Sequence, residues 1–171
     1  RVTGLLPGSV RVSATSTTHR GELHLDIPCD PNGACPVLTA LPVPIAMGAV
    51  ATIDFALDGW SSVAATVDFG AGTGVGTLVV VDTNDIPVGS SYVGGSGVQR
   101  GVVGPLRPGT YRAYFRGEAN RFSQVHGGID CLGDCAAQIA QGTPIVVSDF
   151  GQRIELTFTP QSDLAILNYI A

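Results

Sequence analysis

Apolar and polar residues alternate with a period of two along several short stretches of this chain. The clearest are residues 10–14, 23–27, 111–115 and 154–158. Because successive side chains of a strand point to opposite faces, this period predicts half-buried β-strands. Only residues 134–141 have some helical character, and they are too few for more than one or two turns.

The segments between these stretches carry common turn sequences, namely Pro-Gly, Gly-Gly, Asn-Gly and Asn-Asp. The Pro108-Gly109 step in particular predicts a type II turn with a glycine of positive φ before the strand at 110–115. Many short strands separated by turns predict a sandwich or barrel rather than alternating strands and helices. The predicted fold class is therefore all-β.

The chain also resembles itself at a spacing of about a hundred residues. Five matches occur in the same order along both halves, and this predicts a repeated module of the size of a β-sandwich domain. The matches are Leu5-Leu6-Pro7-Gly8 with Leu106-Arg107-Pro108-Gly109, Ile27-Pro28-Cys29 with Ile129-Asp130-Cys131, Cys35 with Cys135, Pro44-Ile45 with Pro144-Ile145, and Ile53-Asp54-Phe55 with Ile154-Glu155-Leu156.

The repeat divides the chain into three parts. Residues 1–58 are predicted to be the C-terminal half of a first module, which is incomplete because it lacks counterparts of residues 61–100. Residues 59–159 are predicted to be a complete module. Residues 160–171 follow it as an extra strand, in the place that residues 61–69 hold after the first module. Its apolar face would consist of Leu164, Ile166 and Ile170.

An incomplete sandwich exposes both a strand edge and a core face, which is costly in water. Either a longer parent chain supplies the missing strands, or another copy of the chain does. In the second case residues 160–171 would be a donor strand, and the head-to-tail contact would build a filament. In the first case the same residues would open a next module.

Four cysteines form two closely spaced pairs, Cys29 with Cys35 and Cys131 with Cys135. Because the pairs occupy matching loops of the repeat, they predict one local disulfide in each module and an extracellular or cell-surface location. A zinc site built from all four is disfavoured, because five residues separate the first pair and a hundred separate the two pairs.

A set of motifs in the second repeat resembles the carboxypeptidase-regulatory-like repeats of secreted bacterial proteins. These motifs are Leu106-Arg107-Pro108-Gly109-Thr110-Tyr111, Val125-His126-Gly127-Gly128-Ile129-Asp130-Cys131 with Cys135, Gly142-Thr143-Pro144-Ile145-Val146-Val147, and Ile154-Glu155-Leu156. The resemblance implies tandem Ig-like, transthyretin-like sandwiches that serve as spacers or binding domains, with no catalytic residues. The glycine-rich residues 70–76 depart from the pattern, as does Leu41-Pro42-Val43 in the first repeat.

Composition narrows the classes of function. The 171 residues are 44% hydrophobic and only 13% charged, which is the opposite of a disordered composition. All nine cations are arginine and the net charge is -5, so nucleic acid is a disfavoured partner. The apolar stretch 37–57 contains two prolines and an aspartate, so it predicts two strands rather than a membrane span.

No constellation in the sequence predicts an enzyme, a metal or a cofactor. The sequence has three histidines, His19, His24 and His126, but no Gly-x-Ser-x-Gly motif of the kind that holds the nucleophile in many serine hydrolases. The histidines are therefore interpreted as surface residues. Asp82-Thr83-Asn84-Asp85 offers oxygen ligands for calcium but lacks the EF-hand spacing, so a hairpin turn is favoured. The same holds for Asp30-Pro31-Asn32-Gly33.

Three hypotheses about function remain. The first is a non-catalytic structural module of a secreted or cell-surface bacterial protein, and the second is a pilus-like extracellular filament subunit joined by donated strands. The third is a carbohydrate-binding module of an adhesion protein, with an aromatic platform formed by Trp60, Tyr92, Tyr111 and Tyr114. Trp60 alternatively fills the junction between modules. The expected partners are copies of the chain or neighbouring modules, and glycans under the third hypothesis.

Overall fold

In a computed structural model the chain forms two compact units, Arg1–Trp60 and Ser61–Ala171. The structure describes residues 3–16, 19–25, 27–29, 35–118, 123–131 and 135–161. Within these ranges the regular structure is β-strand apart from two single-turn 3-10 helices, so the all-β prediction is confirmed. The predicted extra strand with Leu164, Ile166 and Ile170 lies outside the described residues.

The described part of the first unit contains five short strands and one 3-10 helix at Val37–Thr39. The strands are β1 (Gly8–Val10), β2 (Ser13–Ala14), β3 (Glu22–Leu23), β4 (Ile27–Pro28) and β5 (Val43–Ile45). β1 pairs antiparallel with β5, and β2, β3 and β4 form a separate antiparallel sheet. The buried apolar cluster of the first unit is small. It consists of Leu23, Cys29 and Ala40, with Ile27 and Cys35 packed against it.

Seven strands and a 3-10 helix at Ile139–Gln141 make up the regular structure of the second unit within its described residues. The strands are β6 (Ser61–Val81), β7 (Pro87–Leu106), β8 (Gly109–Glu118), β9 (Ser123–Val125), β10 (Ile129–Cys131), β11 (Ile145–Val147) and β12 (Arg153–Phe158). β6 and β7 form a long antiparallel hairpin. Along its other edge, β6 pairs parallel with β12 and then antiparallel with β8.

The β6–β7 hairpin has a bulge near its middle. Between the pairs Asp68–Val98 and Thr73–Ser96, β6 has four residues where β7 has one. The residues of β6 that belong to the main core are odd-numbered before this bulge, as at Val67, and even-numbered after it, as at Leu78. A bulge of this kind bends a strand and redirects its side chains. Side chains from both halves therefore enter one core, an arrangement consistent with a β-sandwich.

Two glycines in the glycine-rich stretch are required by close packing. A Cβ atom at Gly74 would overlap the ring of Phe69, and one at Gly76 would overlap the ring of Phe115 and the carbonyl oxygen of Arg116. The Phe69 and Phe115 rings meet edge to face, with their centroids 5.8 Å apart. The glycines therefore let β6 lie directly against two core aromatic rings.

The end of β6 is buried on both faces. Leu78 and Val80 face the main core, whereas Val79 and Val81 belong to a second apolar cluster. That cluster also contains Tyr114, Val125, Cys131, Cys135 and Ile139. Burial on both faces explains why this segment is a continuous apolar run without alternation.

The predicted type II turn at Pro108-Gly109 is wrong. Gly109 is the first residue of β8 and has no positive φ. It pairs with Val147 of β11, and this strand pairing holds the backbone extended at the position where the turn was expected.

The strand pairs of the two units share one register at a spacing of 101 or 102 residues. In the first unit Leu23 pairs with Ser13 on one side and with Ile27 on the other. In the second unit Val125 pairs in the same way with Tyr114 and with Ile129. In the same way, Val10 pairs with Val43 as Tyr111 pairs with Ile145. By this register Pro44 and Ile45 correspond to Val146 and Val147, not to the Pro144 and Ile145 matched by sequence.

Candidate functional site

Each unit contains one disulfide bond immediately after its paired strands. Cys29 is joined to Cys35 with Cα atoms 4.6 Å apart, and Cys131 to Cys135 with Cα atoms 5.3 Å apart. Three of the four half-cystines are buried, and Cys35 packs against the small cluster of the first unit. A Cβ at Gly21 would lie 3.1 Å from both sulfurs of the first pair. The bonds therefore form part of the packing of each unit.

The acidic segment between β6 and β7 is a hairpin turn organised by Asp82. Its Oδ1 accepts hydrogen bonds from the backbone N–H groups of Asn84, at 2.8 Å, and Ile86, at 3.0 Å. These hydrogen bonds, that of Ile86 above all, lower the pKa of Asp82. Within the described ranges no group of three or more His, Cys, Asp and Glu side chains could hold a metal ion. The structure thus assigns the carboxylate of Asp82 to the turn.

Two of the three histidines are half-buried rather than on the surface. His24 and His126 occupy matching positions, and their backbone N–H groups donate to Val12 and Ala113 respectively. The His126 ring lies edge-on to Phe158, with the centroids 6.3 Å apart. Burial lowers the pKa of His126 because it disfavours the charged ring. These surroundings indicate a packing role for His126.

The predicted aromatic platform is largely unavailable. Tyr111 and Tyr114 are buried, and the Tyr111 hydroxyl donates a hydrogen bond of 2.9 Å to the Arg107 carbonyl. Trp60 is half-buried, whereas Tyr92 is 66% exposed on β7. Tyr92 is therefore the best-placed of these tyrosines to stack on a sugar ring.

The first unit contains a cavity, lined in part by charged residues, that the sequence motifs did not indicate. Its volume is about 280 Å³, and its lining consists of Arg20, Gly21, Glu22, Pro28, Ala56 and Asp58. The Arg20 side chain donates to the Cys29 carbonyl at 3.0 Å, and its backbone N–H donates to the Asp58 carbonyl at 2.8 Å. One guanidinium and two carboxylates thus surround a space at the small end of ligand pockets.

The matching position in the second unit holds a different residue, whose side chain joins strands. Gln124, which corresponds to Glu22, donates to the Asp130 carboxylate and accepts from the Thr159 backbone N–H, both at 2.9 Å. Gln124 thereby ties β9 to β10 and to the segment that follows β12. The register match at a spacing of 102 residues is the sequence signal that could have drawn attention to Glu22.

Among the described residues of the first unit, the segment that corresponds to β12 has no strand partner. Ile53, Phe55 and Leu57 are half-buried, and the intervening residues 52, 54, 56 and 58 are exposed, so the burial alternates as it does along β12. We call residues 52–57 the open edge. The strand that pairs with β12 is β6, and the described part of the first unit holds no counterpart of it.

The first unit also exposes an unusual number of large apolar side chains. Among the described residues these are Leu5, Leu6, Leu25, Val37, Leu38, Leu41, Met47 and Val50. Exposed apolar surface on this scale in so short a segment is typical of an interaction face.

Comparisons with models of protein families, with curated proteins and with solved structures give no match to this chain. In the part of the chain that the structure describes, no helix has the length and apolar character needed to cross a membrane.

Proposed function

We propose that this chain is a non-catalytic structural module of a secreted or cell-surface protein, built from tandem transthyretin-like β-sandwich repeats. The observation that carries the proposal is the shared register of the strand pairs in the two units, together with one disulfide after matching strands in each. Two units that share hydrogen-bond register over three strands are most simply copies of one fold.

The features common to both units are those that build the fold. Backbone pairing, a 3-10 helix and a disulfide recur, whereas the polar side chains differ. Glu22 lines a cavity in one unit and Gln124 joins strands in the other, and the Asp82 turn belongs to the hairpin of the second unit only. Because a catalytic or ligand site depends on particular side chains, this pattern favours a spacer or scaffold.

The disulfides support a location outside the reducing cytoplasm. Among the described residues every cysteine is paired, and each bond closes a loop within one unit. On the chain-entropy model, closing such short loops stabilises each unit by about 2 kcal/mol. This contribution requires an oxidising compartment, so it suits a surface or extracellular protein.

Fractionation of the cells that produce the protein tests this proposal, with thiol labelling before and after reduction. We expect the chain in the extracellular or surface fraction, with no label before reduction and four labelled thiols afterwards. Recovery from the cytoplasm with labelled native thiols would contradict the proposal. A glycan array gives the second test: specific retention that Tyr92→Ala abolishes and Tyr92→Phe preserves would replace the structural role with carbohydrate binding.

A further inference from the structure

We propose that the cavity of the first unit is a binding site for a primary ammonium group carried on a short aliphatic stem. The cavity is the space of about 280 Å³ whose lining includes Arg20, Glu22 and Asp58. The inference adds a ligand to the structural role proposed above and does not depend on that role.

The lining residues differ in burial, which gives the cavity a buried end and an exposed rim. Glu22 is only 8% exposed, and its Oε1 atom is itself buried. Arg20 is half-buried, whereas Pro28, Ala56 and Asp58 are exposed. A group that enters at the rim therefore approaches a buried carboxylate.

Hydrogen bonds hold the walls of the cavity in place. The backbone N–H of Arg20 donates to the Asp58 carbonyl at 2.8 Å, and its side-chain Nε donates to the Cys29 carbonyl at 3.0 Å. The Cys29 N–H in turn donates to the Gly21 carbonyl at 2.9 Å, and Cys29 is joined to Cys35 by the disulfide. A site that is already formed loses little conformational entropy when a ligand binds.

The charges of the lining favour a positively charged ligand. One arginine against two acidic residues leaves the described lining with one net negative charge. The charge of Arg20 offsets only one of the two carboxylates. Because a buried charge is stabilised when it is paired and hydrogen-bonded, a cation close to Glu22 would be bound favourably.

The positions of the two acids favour an ammonium group over other cations. Glu22 belongs to β3 and Asp58 to a segment far along the chain, so their carboxylates come from separate elements. The compact ammonium group can direct its N–H donors to separate acceptors, whereas the planar guanidinium group suits bidentate contact with one carboxylate. A metal ion is disfavoured, because Arg20 shares the lining and the described residues contain no group of three or more metal-ligating side chains.

The remaining lining residues, Gly21, Pro28 and Ala56, suit an aliphatic stem because their side chains carry no polar atoms. The volume is at the small end of ligand pockets, so it fits a group of the size of a side chain. The 171 residues include no lysine. Two sources of the ammonium group remain, namely a free alkylamine and a lysine side chain from outside these residues.

The second unit has different side-chain chemistry at the matching place. Glu22 pairs with Pro28 across two strands as Gln124 pairs with Asp130. In the second unit the Gln124 amide is bound within the unit, to the Asp130 carboxylate and to the Thr159 N–H. The two units therefore share a backbone arrangement but differ in the particular side chains on which a ligand site depends.

Titration of the full chain with n-butylammonium, followed by NMR and calorimetry, tests the site. Binding should shift the amide signals of residues 20–22 and 56–58. The alcohol n-butanol has the same stem without the charge, and it should bind about tenfold more weakly or less, because a hydrogen bond between charged groups is lost. Equal binding of n-butanol, or titration without shifts at these signals, would overturn the proposal.

Two carboxylate-to-amide variants connect the binding to the cavity. Glu22→Gln should weaken the binding of n-butylammonium by about tenfold or more, and Asp58→Asn at the exposed rim should also weaken it. Asp54→Asn is the matched control, because it removes an exposed carboxylate of the same segment that does not line the cavity. Thermal unfolding checks that each variant folds, and Asp58→Asn carries the test if Glu22→Gln does not. Folded variants that bind as tightly as the wild type would refute the site.

Short peptides distinguish the two sources of the ammonium group. Binding of acetyl-Gly-Lys-Gly-amide as well as n-butylammonium supports a lysine of a partner protein, and binding of n-butylammonium alone supports a free amine. Equal binding of acetyl-Gly-Arg-Gly-amide contradicts the assignment to ammonium, and binding of none of these probes overturns the proposal. Cell fractionation and thiol labelling still test the structural-module function separately, because none of these outcomes depends on compartment or disulfides.

Discussion

Replacing Gly76 with alanine is the sharpest test of the packing of the second unit. Alanine inside a strand normally stabilises relative to glycine, because it restricts the unfolded chain, by about 0.4 to 1 kcal/mol. At Gly76 the added methyl group would instead overlap the Phe115 ring and the Arg116 carbonyl oxygen. Phe115 is fully buried and the carbonyl belongs to a paired strand, so neither has room to move away.

The expected net effect follows from these opposing contributions. Overpacking of a core usually costs about 1 to 3 kcal/mol, and contact with a backbone atom places this site toward the upper end. After the gain from the unfolded state is subtracted, Gly76→Ala should destabilise by about 2 kcal/mol. For a unit of about 110 residues this corresponds to a fall in Tm of about 8 °C.

Thermal and urea unfolding of Gly76→Ala and of a control, Gly109→Ala, measure this effect. Gly109 also lies in a strand, but a Cβ there would make only ordinary contact with the Tyr111 ring, the nearest atom being 3.5 Å away. The control should be neutral or slightly stabilising. Combining Gly76→Ala with Phe115→Leu should recover part of the loss, because a smaller side chain relieves the overlap. If Gly76→Ala is as stable as the control, the close approach of β6 to Phe115 is wrong.

Three further predictions concern the second unit. Between pH 7.5 and 5.5 the wild type should lose more unfolding free energy than His126→Gln. Because the pKa of His126 is lowered in the folded state, its contribution to stability is full above about pH 6.5 and falls as the pH drops through that value toward the folded pKa. Equal losses in denaturant titrations of the two proteins would contradict this. Gln124→Leu should cost about 1 to 3 kcal/mol by urea unfolding, because it leaves the Thr159 N–H without its acceptor, and a neutral result would refute that role. Cys131→Ser combined with Cys135→Ser should lower the free energy of unfolding of the second unit by about 2 kcal/mol. A reductant should then have no further effect on the unfolding transition of this unit. If the transition still shifts when reductant is added, another disulfide stabilises the unit.

Residue types alone were sufficient to predict the cysteine pairs and the strands of the second unit. Alternation predicted strands at 10–14, 23–27, 111–115 and 154–158, and the last two lie within β8 and β12. The prediction for 10–14 is wrong because β1 ends at Val10 and β2 begins at Ser13, and the prediction for 23–27 is wrong because Leu23 and Ile27 pair with each other across a turn. The pairing of Cys131 with Cys135 follows from their short spacing, because short loops bring their ends together without help from the rest of the fold.

Other features of the structure could not be predicted from the sequence, because they depend on contacts between residues that are distant along the chain. The turn expected at Gly109 is a strand because β11 pairs with it. Glu22 and Asp58 line one cavity although 35 residues separate them in the chain. Tyr111 and Tyr114 are buried because β8 lies between core clusters on its two faces, a property that their spacing does not reveal.

The amino-acid sequence by itself determined the all-β class and the local disulfides, since each depends on neighbouring residues. Only the tertiary structure decided which glycines of β6 are required and which segment of the first unit has no strand partner. Both depend on how closely remote strands approach, and that distance is set by the packing of the whole unit. The glycine-rich stretch that departed from the repeat pattern is the place where β6 has its bulge and where its backbone lies against the rings of Phe69 and Phe115.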